Sequence, residues 1–137
     1  MSARTRRRVD ASGGPWEDAF GYARAVRVGD QVHVSGCTAV VDGDVAHPGD
    51  AGAQALVALD TALAALTRLG GTDADVVRTR MYVTDRADCE AVGRAHGSRL
   101  GGVRPAATMV VVAGLLDPAM LVEIELDAVV TTPQEQS

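Results

Sequence analysis

Apolar and polar positions alternate most clearly near the end of the chain, in two Val-rich runs at 106–113 and 121–130 separated by Gly114, Asp117 and Pro118. Both runs read as strands, and the Gly, Asp and Pro between them as a turn. In the second run Val122, Ile124 and Leu126 share one face while Glu123, Glu125 and Asp127 share the other, because side chains alternate along a strand. Acids between such neighbours suit a solvated sheet face, and that reading stands for Glu125 and Asp127. If the two runs pair as a hairpin, Glu123 falls nearest Ala107 and Met109, which makes it the better candidate for chemistry.

Earlier in the chain, strands through Val26 and Val28 and through Val32 and Val34 flank Gly29-Asp30, a hairpin pattern, and Asp42-Gly43 marks a second turn. The period changes at Asp50. Leu56, Leu59, Leu63 and Leu66 recur at helical spacing among alanines, predicting a helix capped by Asp50 and ended by Gly70-Gly71. A strand over 76–83 follows, then a helix over about 89–100 with Asp85 or Asp88 as its cap and Gly101-Gly102 at its end. This order predicts an α+β domain with two helices on one face of a mixed sheet. The other face, expected to be apolar, is left without a helix to cover it, so self-association is expected.

At 137 residues the chain makes one domain with a real core, and with only 3% aromatic residues that core must be Ala, Val and Leu. Residues 1–15 are polar and glycine-rich and are expected to form a flexible arm, with Arg4, Arg6, Arg7 and Arg8 as a solubilising basic stretch. The domain is placed at 16–130 and a polar tail at 131–137. The aromatic cluster of Trp16, Phe20 and Tyr22 either packs the entering segment onto the body or lines a pocket. A net charge of -5 argues against nucleic-acid binding, and no apolar run is long enough to span a membrane. No secretory signal is recognisable, so the cytoplasm is the expected compartment.

Cys37 and Cys89 are far apart and only three histidines are present, so neither a disulfide framework nor a metal site is indicated. Walker, zincin, nucleophile-elbow and dinucleotide motifs are absent. His96 reads as a core or interface histidine, since no partner for it is evident. Cys37, after Ser35-Gly36 at a strand end, reads either as a nucleophile at a loop mouth or as a small half-buried residue.

Five segments, GYARAVRVGDQVHVSG, LTRLGG, DADVVRTRMYVTDRAD, RPAATMVVVAGL and LVEIELDAV, together resemble the Rid family (YjgF/YER057c/UK114) over roughly residues 20–130. The resemblance implies a chorismate-mutase-like fold that trimerises around a central barrel, with small-molecule sites at the subunit clefts. It implies hydrolysis of enamines and imines of 2-amino acids to 2-oxo acids and ammonia, without a cofactor. It also implies that Tyr22 and the Gly36 backbone bind substrate and that Glu123, the first glutamate of E-I-E, positions water.

The chain departs from that family at an informative position. Active deaminases read P-A-R-S, with the arginine gripping the substrate carboxylate, whereas this chain reads Pro105-Ala106-Ala107-Thr108. Arginine suits that role because its planar fork makes two parallel hydrogen bonds to a carboxylate. Losing such a contact, roughly 1.5–3 kcal/mol, weakens binding of a small acid by about tenfold to a hundredfold. Arg104 replaces it only if the backbone before Pro105 is irregular. Cys37 stands where the family has glutamine, and Ala107, Met109 and Val111 make an apolar strand face. The expected substrate is therefore a less acidic imine, enamine or related carbonyl compound. The alternative is a non-catalytic trimer that binds a ligand or partner. RNA cleavage, an activity attached to some relatives, fits an acidic body poorly.

Overall fold

The computed structural model describes residues 6–131. Eight strands and three helices follow in the order β1 (Arg7–Asp10), α1 (Pro15–Phe20), β2 (Ala25–Val28), β3 (Gln31–Cys37), β4 (Val40–Val41), β5 (Asp44–Val45), α2 (Ala51–Arg68), β6 (Val76–Val83), α3 (Cys89–Leu100), β7 (Ala106–Val111) and β8 (Val122–Val129). Six strands form one mixed sheet in the order β1-β2-β3-β8-β6-β7, antiparallel except for β6 and β7. Parallel neighbours need a long crossover, and α3 supplies it. β4 and β5 make a separate small ribbon about Asp42-Gly43, where both residues have positive φ.

The α+β arrangement with both long helices on one sheet face is as the pattern predicted. Asp50 caps α2 by accepting from the Ala53 N–H, and Gly70 follows its end at φ 94°. Leu59, Leu63 and Leu66 of α2, with Ala55, Ala58 and Ala62, pack against Val32, Val34, Met81, Val83, Ile124 and Leu126 of the sheet. Three consecutive alanine positions on the buried face let the helix approach the sheet closely, so a core without aromatics still closes.

Three expectations are corrected. The runs at 106–113 and 121–130 are not a hairpin: β8 inserts between β3 and β6, and β6 separates it from β7. The connection over 112–121 is too long for a tight hairpin turn and carries the chain past β6 instead. Buried Gln54 holds this connection, donating to the Ala119 carbonyl at 3.0 Å and accepting from the Leu121 N–H at 2.9 Å. Secondly, residues 7–10 are no flexible arm but strand β1, whose Asp10 accepts two hydrogen bonds from Arg68 at 2.8 Å each. Arg4 and the tail from 132 lie outside the described residues.

Thirdly, the face opposite the helices is not apolar. Its centre carries Glu123, Glu125 and Asp127 of β8, Arg80 and Tyr82 of β6 and His33 of β3. Arg80 donates to Glu125 and Asp127 at 3.1 Å each, Tyr82 to Glu125 at 2.9 Å, and His33 contacts Asp127 at 2.7 Å. Alternation across paired strands gathers these groups, and apolar residues such as Val9, Val28, Val110 and Val129 border them.

Candidate functional site

The site is built where β3 meets β8. β3 bulges between Val34 and Cys37, so that Ser35 and Gly36 together oppose a single step of β8. The bulge turns Cys37 into the core, where it is 3% exposed, and lays Gly36 beside Glu123. A side chain at position 36 would overlap the Glu123 carboxylate, whose Cδ lies 2.8 Å from where a Cβ would stand. Glycine is needed here for space, since its φ is ordinary.

Glu123 differs from the other two acids on its strand. Glu125 and Asp127 accept hydrogen bonds from Arg80, and Glu125 also from Tyr82, whereas no described residue donates to Glu123. Burial raises its pKa above the ordinary value, nearby Glu125 adds to the rise, and Arg24 opposes it. A carboxyl group in this state exchanges protons more readily near neutral pH than an exposed glutamate.

Arg24, which the sequence reading missed, is half-buried beside this carboxyl. Its Nη1 donates to the Gly36 carbonyl at 2.7 Å and more weakly to that of Ser35 at 3.4 Å, and it lies 3.6 Å from the Cys37 sulfur. The guanidinium stands 5.8 Å from the centre of the Tyr22 ring. The signal was available in the two-residue spacing of Tyr22 and Arg24, which places both on one side of an extended segment. The Ser35 hydroxyl donates to the Ala23 carbonyl at 2.7 Å and the Ser35 N–H to that of Arg24 at 2.9 Å, which fixes this segment against β3.

Of the residues singled out in the sequence, Glu123, Gly36, Cys37 and Tyr22 therefore converge around Arg24. Of the two readings of Cys37, the half-buried one understates its position. Its thiol is enclosed, and burial pushes its pKa up, which weakens it as a nucleophile. Arg104, Ala107 and Met109 are not brought to Glu123 within one chain. Ala107 and Met109 lie opposite Thr79 and Met81 and so take the helix side of the sheet, with the Met109 methyl close to Gly93 of α3. Arg104 does have an irregular backbone, with φ 58°, but it is exposed and contacts no carboxylate among the described residues.

His96 bonds to the buried Thr79 hydroxyl at 2.8 Å, which supplies the partner that the sequence left unnamed. Trp16 and Phe20 stack on each other at 5.0 Å yet remain 54% and 65% exposed, so they do not pack the entry segment onto the body of this chain. Buried Glu17 anchors that segment instead, accepting from the Ser12 N–H and hydroxyl. Concavities of about 200 and 600 Å³ lie at the far end of the sheet around Arg27, and neither includes Glu123. Among the described residues no group of three or more His, Cys, Asp or Glu is placed to hold a metal ion, and no helix is long and apolar enough to cross a membrane.

Residues 16–130 match the family model described as Endoribonuclease L-PSP, covering every strand of the main sheet except β1. The Streptomyces coelicolor protein SCO2049 is 42% identical over 128 residues, which is 93% of this chain and 95% of that one. The 3-aminoacrylate deaminase RutC of Acinetobacter baylyi is 35% identical over 104 residues, 75% of this chain and 82% of RutC. Among solved structures, Rv2704 of Mycobacterium tuberculosis, a member of the YjgF/YER057c/UK114 family, superposes with a TM-score of 0.82 at 45% identity, covering 91% of this chain and all of that one. Matched over nearly its whole main sheet and in sequence as well as shape, this chain belongs to the Endoribonuclease L-PSP family, the family of YjgF, YER057c and UK114.

Proposed function

We propose that the protein is a hydrolytic deaminase of imines or enamines, with Glu123 as its acid–base group. The observation that carries this reading is the state of Glu123: alone among the three acids on its strand it accepts no hydrogen bond from a described residue, and its pKa is raised by burial. The likeness to RutC, a 3-aminoacrylate deaminase, points to the same reaction class. An enamine takes a proton on carbon to become an imine, and water then adds to the C=N carbon. Glu123 as carboxylate accepts one proton of that water and as acid delivers it to nitrogen, giving the carbinolamine; it then carries the remaining hydroxyl proton to the amine as the C–N bond breaks, so that ammonia leaves and a carbonyl remains. No cofactor is required for these steps.

The working unit proposed is a homotrimer in the cytoplasm, with the site closed by a neighbouring subunit. Exposed Trp16, Phe20, Tyr22, Val110 and Leu116 support association, since a monomer gains nothing by presenting them to water. Ala107 offers no charge to a substrate acid, so specificity differs from that of relatives with arginine at this position. That same absence favours the second reading, a trimer that binds a small molecule without turning it over.

The test is ammonia and 2-oxo acid release from imines generated in situ, small acidic ones beside larger neutral ones, with the wild type, Glu123→Gln and Ala107→Arg. Turnover by the wild type that Glu123→Gln abolishes supports the enzyme. Silence from the wild type with activity restored by Ala107→Arg supports the binding protein. A monomer by light scattering at micromolar concentration contradicts the cleft site.

A further inference from the structure

We propose that Arg24 is the anion-binding residue of the Glu123 site and selects substrates whose carboxylate is attached directly to the imine carbon. Arg24 and Glu123 are both held at Gly36, one bonded to its carbonyl oxygen and the other over its Cα, yet they form no ion pair. The two groups therefore stand on either side of a position that carries no side chain. In a 2-imino acid the carboxylate and the C=N carbon are one bond apart. In the proposed pose its carboxylate lies on the guanidinium and its imine carbon faces Glu123.

The guanidinium is equipped for the task. Among the described residues Nη1 alone is engaged, by the Ser35 and Gly36 carbonyls and the Cys37 sulfur, and none accepts from Nε or Nη2. Arg68, Arg80, Arg94 and Arg99 each meet a carboxylate at 3.1 Å or closer, whereas half-buried Arg24 meets none within 4.0 Å among the described residues. The Gly36 carbonyl fixes one edge of the planar group, leaving a pre-oriented fork for a bidentate anion, and the Tyr22 ring stands on its flank. Bound anion would also offset the charge through which Arg24 holds the Glu123 pKa down, moving that carboxyl further towards the acid form that protonates nitrogen.

This places the acid grip on the segment before β2 rather than on β7, and it reverses the expectation of neutral substrates drawn from Ala107. It rests on the deaminase reading only for the orientation of the imine carbon, so binding and turnover are measured separately. In calorimetric titration of the wild-type protein, pyruvate binds at least tenfold more tightly than neutral pyruvamide. Arg24→Gln, whose amide still donates to the Gly36 carbonyl, weakens pyruvate about tenfold to a hundredfold and leaves pyruvamide unchanged within about twofold. Arg24→Lys keeps part of the preference, and thermal unfolding checks that both variants remain folded.

Pyruvate binding with this pattern and no turnover of any imine upholds Arg24 while the deaminase reading falls. Turnover abolished by Glu123→Gln, but reduced equally for acidic and neutral imines by Arg24→Gln, leaves the deaminase and overturns the role of Arg24. Equal affinity of the wild type for pyruvate and pyruvamide, or no binding of either, overturns it as well. Should Arg24→Gln unfold, the Arg24→Lys variant decides: a preference for pyruvate over pyruvamide that is reduced but retained upholds a charge-based grip, and parallel loss of both contradicts it.

Discussion

Adding one methyl group at Gly36 probes the account where it is most exposed. In Gly36→Ala the new Cβ would lie 2.8 Å from Glu123 Cδ and 3.0 Å from Cγ, against 3.4 Å or more for an ordinary contact. The carboxyl group must swing aside by the better part of an ångström, and the end of a flexible side chain can do so. The stability cost is therefore small. An off-rotamer glutamate costs roughly 0.5–1.5 kcal/mol, while replacing glycine by alanine at an ordinary φ returns about 0.4–1 kcal/mol through the unfolded chain. Net stability should move by less than about 1 kcal/mol. Activity should fall on the order of a hundredfold, the usual consequence of misplacing a reacting group by about 1 Å.

Urea unfolding and ammonia-release kinetics on the same preparations measure the two quantities. Gly71→Ala is the control, because a Cβ there overlaps the buried Leu66 side chain, with Cγ at 2.8 Å, far from the site. It should cost about 1–3 kcal/mol by overpacking and leave the rate constant of the folded fraction alone. If Gly36→Ala keeps wild-type kcat/KM, Glu123 does not act from the position described.

Gln54→Ala should destabilise by about 2–4 kcal/mol in urea unfolding, because it strips partners from the backbone groups of Ala119 and Leu121 beneath a buried side chain. His96 is held below its ordinary value of 6.5 by burial. The unfolded chain then binds more protons than the folded one between the two values, so stability is full above about pH 6.5 and is lost as pH falls below it. Comparing urea midpoints at pH 5 and 7.5, His96→Gln should flatten that dependence; an unchanged slope would contradict it. Glu123 has the opposite sign of effect on stability, its pKa being raised. Stability is lost as pH rises above the unfolded value of 4.5, so Glu123→Gln should raise the melting temperature at pH 7.5 and leave it unaltered below pH 4.5.

Local periodicity made the elements legible. The spacing of Leu59, Leu63 and Leu66 defined α2, and alternation in 121–130 defined both faces of β8. Strand order was not legible in the same way, because alternation identifies the face of a strand but not its neighbour. The hairpin reading of β7 and β8 failed on the choice of partner, and with it the expected closeness of Glu123 to Ala107 and Met109. β1 was missed because RRVD is too short and too charged to read as a strand, although pairing with β2 and the Asp10–Arg68 bonds hold it. Glu123 was singled out on two grounds: the hairpin pairing with Ala107 and Met109, which fails, and its place as the first glutamate of E-I-E, which the family resemblance supplied. Arg24 could be grouped with Tyr22 by its two-residue spacing, but its place beside Glu123 was not legible, since only the β3 bulge brings Gly36 to it.

On the proposed mechanism Glu123 moves the protons of a C–N hydrolysis. The direct measurement is ammonia release from in-situ-generated imines across pH 5–9 by the wild type and by Glu123→Gln. The wild type should turn over imines with a kcat/KM that follows a group titrating above the ordinary glutamate value, with a loss of at least a hundredfold in the variant. Equal rates for the two proteins, with the same pH profile, would contradict it.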